Sequence, residues 1–146
     1  MTETETAIPR PALLLGWAGV IPFAAFAFAT ALELRLPGLR PEPILLAYAA
    51  AILSFMGGAQ WGLAIGEAPV GGQRLAVSVI PALLAWTALL QPLDTGLLLC
   101  LVAFLGLLAY DLLTVRQGRS PAWYGTLRLQ LTGAVVGCLA LALVFD

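Results

Sequence analysis

Five long apolar runs occupy most of this sequence, at residues 12–32, 44–65, 75–90, 95–115 and 123–145. They are closed by polar or turn-forming residues: Glu33 and Arg35, Gly66 and Glu67, Gln91 to Asp94, and Arg116. A helix needs about 17–25 residues to cross a bilayer, so four runs are long enough and the third is short. In hydrocarbon every backbone amide must be satisfied within its own segment or a closed barrel. Period-two alternation is missing, which excludes a barrel and leaves helices. Composition agrees: 61% of residues are hydrophobic and 10% charged, against about 45–50% and about 25% in soluble domains. A water-soluble chain of this length would still leave about 30% of its unfolded surface wet, too much for so apolar a sequence. The expected fold is all-α, a polytopic membrane bundle of five transmembrane helices in a single domain over residues 1–146.

The connections are short, so successive helices should run antiparallel. Pro43 suits a helix start; Ser120 reads as an N-cap with Pro121 at the first helical position. Arginines Arg10, Arg74, Arg116, Arg119 and Arg128 fall on one side of the membrane, Arg35 and Arg40 on the other. The excess of basic residues marks the cytoplasmic side, so the N-terminus is expected in the cytoplasm and the C-terminus outside. The start is acidic, with Glu3 and Glu5, and the first run is long. Both features differ from a secretory signal, so the first span is expected to be retained.

Several function classes lack their residues. The chain has no His, which removes the usual acid–base group and the commonest metal ligand. Cys100 and Cys138 sit singly inside apolar runs and form no C-x-x-C pair. Neither a metalloprotease, nucleophile-elbow nor phosphate-loop motif is present. A net charge of -1 gives no general attraction to nucleic acid. The expectation is a non-enzymatic protein with no metal and no cofactor, whose partner is the lipid bilayer, with other membrane proteins or a second copy of itself as further candidates.

Candidate residues fall into two groups. Ser54, Gly58, Gly62 and Gly66 recur every four residues in the second run, and Gly133 and Gly137 do so in the fifth. Small residues at that spacing let helices approach closely, so the second helix is expected at the centre with this face packed, like a glycine zipper. The alternative for the same face is self-association. The second group is a polar cluster toward the cytoplasmic end: Gln60, Trp61, Glu67, Arg74, Asp111, Arg128 and Gln130, with Tyr110 nearby. Asp111 and Arg128 flank the last connection, and side chains lean toward their own helix N-terminus. The two therefore lean toward each other, and an ion pair between the fourth and fifth helices is expected. Ionisable groups inside a span are functional candidates; a pair this near a surface also serves as a structural tie.

Four stretches carry a family resemblance: LLGWAGVIPF, ILSFMGGAQWGLA, PALLAWTALL and the Asp111 to Thr132 segment containing SPAWYGTLRLQLT. Together they resemble the transmembrane protein 69-like family, an uncharacterised group of bacterial and mitochondrial membrane proteins. The resemblance implies a multi-pass inner-membrane protein and no particular activity. It also leads to a His or Arg where this chain has Gln60, so an amide there argues against proton chemistry. Three roles follow as expectations: a membrane component that supports a complex or the bilayer, a small-solute carrier or channel, and a binder of an apolar ligand using Trp61 and Trp86.

Overall fold

The computed structural model describes residues 7–146, so the acidic start with Glu3 and Glu5 lies outside the described residues. Five helices follow in order: α1 (Arg10–Ala31), α2 (Pro41–Ile65), α3 (Gly72–Leu89), α4 (Leu93–Arg116) and α5 (Ala122–Phe145). Each is long and apolar enough to cross a membrane. The third run, short by hydropathy, gains a turn at its start from Gly72, Gln73 and Arg74 and reaches 18 residues. At 1.5 Å per residue that is about 27 Å, close to a hydrocarbon core of about 30 Å.

The helices form a closed ring. Each neighbour in sequence packs against the next, α5 returns to pack against α1, and α2 and α4 meet across the middle. α2 thus touches α1, α3 and α4. The core between them holds Phe23, Leu45, Leu53, Leu97, Phe104 and Leu139, all buried. The outer surface is apolar as well, with Leu14, Ile21, Phe28, Leu98 and Val102 exposed. Among the described residues, the only charged ones deep in the spans are Asp111 and Arg128, and both are buried. Arginines and carboxylates on the outside, such as Arg10, Glu33, Arg35, Arg116 and Arg119, stand at helix ends or in loops. An apolar exterior with charge confined to its two rims matches a bilayer, not water.

The glycine face of α2 is not where its spacing placed it. Gly58, Gly62 and Gly66 are exposed, and a Cβ added at Gly58 or Gly62 would meet nothing within 4 Å. At Gly66 it would touch only carbonyls of its own helix, and Ser54 turns its hydroxyl back to the Ala50 carbonyl at 2.9 Å. Gly133 and Gly137 on α5 are likewise open. The close approach is made instead by Gly57, one residue and about 100° around the helix. A Cβ there would lie 2.8 Å from the Ser78 carbonyl oxygen and 3.2 Å from Pro81 on α3. Glycine at 57 lets α2 and α3 pack with backbone nearly in contact.

Polar ties fasten the outer helices. Pro22 lies inside α1 and removes an N–H from its ladder. Nearby, Tyr48 on α2 donates its hydroxyl to the Gly19 carbonyl at 2.8 Å, and its ring stands edge-on to Phe23 at 4.9 Å. Replacing Tyr48 with Phe keeps the ring and deletes one hydrogen bond. The expected loss in unfolding free energy in detergent is about 0.5–1.5 kcal/mol; no loss would show that α1 does not depend on this tie.

Candidate functional site

The site begins with the way α4 ends. Gly118 takes a left-handed φ of 71°, Gly118 N–H bonds to the Val115 carbonyl, and Arg119 N–H reaches the Thr114 carbonyl at 2.9 Å. This is a Schellman closure, for which glycine is the natural residue. The chain reverses within a few residues and α5 starts at Ala122. Ser120 does not cap it: the residue before the helix is Pro121, with no side-chain cap bond. The Ser120 hydroxyl is buried instead and lies 3.2 Å from the Thr114 hydroxyl.

That tight turn sets Asp111 on α4 opposite Arg128 on α5. Each lies five or six residues inside its helix, or about 8–9 Å below the helix end. Arg128 donates through Nε to Asp111 Oδ2 at 2.6 Å. Gln60 on α2 donates through Nε2 to Asp111 Oδ1. Both carboxylate oxygens are therefore engaged, one by each flanking helix. Asp111, Gln60 and Arg128 are only 1%, 2% and 5% exposed. Thr114, three residues on, donates its hydroxyl to the Asp111 carbonyl at 2.7 Å.

A second polar group sits beside α3. Arg74 donates through Nη1 to Glu67 Oε1 in the α2–α3 connection, and its Nε lies 3.4 Å from the Tyr110 hydroxyl of α4. Arg74 is buried and Glu67 half-buried. The expected cluster is thus two groups, Gln60–Asp111–Arg128 and Glu67–Arg74–Tyr110, at the same end of the bundle. Trp61 and Gln130 join neither, since both are exposed. Gln130 follows Arg128 by two residues, about 200° around α5, which turns it outward. Trp86 is also exposed.

Two residues of this region lay outside the sequence reading, Thr114 and Thr132. They stand three and four residues after Asp111 and Arg128, the spacing that shares a helix face, and both are buried. Among the described residues no group of His, Cys, Asp and Glu is placed to hold a metal ion.

Comparison with known proteins decides the family. The family described as protein of unknown function (DUF3429) matches residues 8–144, a stretch that takes in all five helices but for the last residue of α5. The chain belongs to this family. Among curated proteins it is similar to Transmembrane protein 69 of Xenopus tropicalis, 40% identical over 144 residues, covering 93% of this chain and 54% of that protein. It is also similar to Transmembrane protein 69 of Mus musculus, 30% identical over 130 residues, covering 85% of this chain and 51% of that protein. The chain spans about half the length of the curated relatives it matches. No solved structure matches. The DUF3429 unit is therefore a multi-pass membrane unit, and the transmembrane protein 69-like resemblance of the four quoted stretches extends to the whole bundle.

Proposed function

We propose that the chain is a non-enzymatic component of a bacterial inner membrane, a rigid five-helix unit that supports a larger complex or the bilayer around it. The observation that carries this reading is the complete engagement of Asp111. A carboxylate that escorts a proton or solute needs a face open to its cargo. Here both oxygens are bonded to protein donors, at 1% exposure, from helices on either side. Such a centre ties α2, α4 and α5 together, as expected of a unit whose role is to hold shape. The orientation belongs to the same proposal: N-terminus cytoplasmic, C-terminus outside. Its support is the five arginines at the polar-cluster end against two at the other. Arg74 and Arg128 are buried in the finished bundle, yet the charge bias acts while the helices insert, so they count.

The test has two arms. Solubilised gently from its own membranes, the protein should migrate in an assembly of constant composition larger than itself. Reconstituted alone into sealed vesicles, it should leave their permeability to ions and small solutes unchanged. Saturable uptake that disappears in Asp111→Asn would replace this reading with that of a carrier.

A further inference from the structure

Next to the polar cluster, α1, α2, α4 and α5 surround a cavity of about 120 Å³. Its deep wall is formed by Phe23, Phe104 and Val135, with Met56 along one side. Leu15 of α1 and Phe55 of α2 also line it and are 75% and 67% exposed, so its mouth lies between α1 and α2 on the lipid-facing surface. Two polar side chains line this apolar space, Arg128 and Thr132, one turn apart on α5. Arg128 Nη2 and Thr132 Oγ1 are buried and have no hydrogen-bond partner among the described residues. The bonds that tie Asp111 account for neither atom.

We propose that this cavity is a binding site, entered from the lipid, for a neutral ring compound that bears a carbonyl oxygen. A buried polar donor without a partner is costly. The two residues that carry one here both line this space, so an acceptor that enters it and reaches them would offset that cost. Its charge follows from the ion pair. Asp111 already neutralises Arg128 at 2.6 Å, so a ligand carboxylate would carry an uncompensated negative charge into the membrane. A carbonyl oxygen accepts from the guanidinium and the hydroxyl and adds no charge. The ring follows from size and lining. At about 120 Å³ the space is somewhat smaller than the roughly 150 Å³ cavity that accommodates benzene, so it takes no more than a single ring, with any tail leaving through the open mouth. Phe23 and Phe104 stand edge-on, 6.0 Å apart, and the Met56 thioether completes a surface suited to an aromatic or quinonoid face.

The experiment uses the full chain in detergent micelles, titrated calorimetrically with a decyl benzoquinone. Decylbenzene, with ring and tail but no carbonyl, and decanoate, an anion, are the comparators. The quinone should bind saturably at one per chain, with both comparators at least about tenfold weaker. Thr132→Val, which keeps the shape and deletes the hydroxyl, should weaken quinone binding about 2–10-fold. Gly19→Leu should abolish it, because Gly19 lines the cavity and a Cβ there would meet only the Tyr48 hydroxyl, at 3.9 Å. Equal binding of decylbenzene, tighter binding of decanoate, or full binding by Gly19→Leu would each overturn the proposal. The comparator series is read on the unaltered protein and does not depend on any variant folding.

Discussion

Asp111→Ala is expected to lower unfolding free energy in detergent by about 3–5 kcal/mol, the cost of leaving a buried charge without its partner. In a chain of this size that corresponds to a fall in Tm of roughly 6–20 °C. The variant strands Arg128 in the bundle and deprives the Gln60 amide of its acceptor. Asp111→Asn should cost less, because an amide oxygen still accepts a hydrogen bond. The informative comparison is the double variant Asp111→Leu with Arg128→Met. Replacing both members of a buried ion pair by apolar groups of similar size is often neutral, so the double variant should be more stable than Asp111→Ala alone. Thermal unfolding followed by circular dichroism reads all three. An Asp111→Ala protein as stable as the original would mean that the pair is not formed in the membrane.

Gly57→Leu is the second large effect. Its Cβ alone would fall 2.8 Å from the Ser78 carbonyl oxygen, and backbone cannot move aside as the tip of a side chain can. Overpacking of this kind costs about 1–3 kcal/mol, and here it would prise α3 from α2. Gly62→Leu, on the outward face five residues on, should change stability by no more than about 0.5 kcal/mol. The two variants differ only in position on one helix, so their ranking reads the rotation of α2. A reversed ranking would mean that α2 is turned by more than a quarter of a revolution from the structure.

The rotation of α2 is also where the sequence was least legible. Span positions were readable because hydropathy is summed over some twenty residues, and the five helices agree with the five runs to within a few residues. The phase of each helix was not. In a soluble protein the polar face tells which side is out; in a membrane both lipid and core accept Ala, Leu and Gly. The Ser54–Gly58–Gly62–Gly66 spacing therefore described a stripe without saying which way it faced, and Gly57 gave no periodic sign of its role. Polar residues do carry phase. Asp111 and Arg128 lean toward each other across a short turn, and Thr114 and Thr132 share their faces, so this part was available from spacing. The division into two polar groups was not, because it depends on where α3 sits relative to α4.

The ring has an order of construction. Of the five helices, α5 is made after the other four, and it packs against both α4 and α1. Until it arrives, α1 and α4 lack the neighbour that joins them, and Asp111 has Gln60 but not Arg128 to hold. A nascent chain paused before residue 122 must keep a carboxylate in the bilayer on a single amide, or leave α4 outside. The closing helix thus brings its own countercharge, and with it the ring of five is complete.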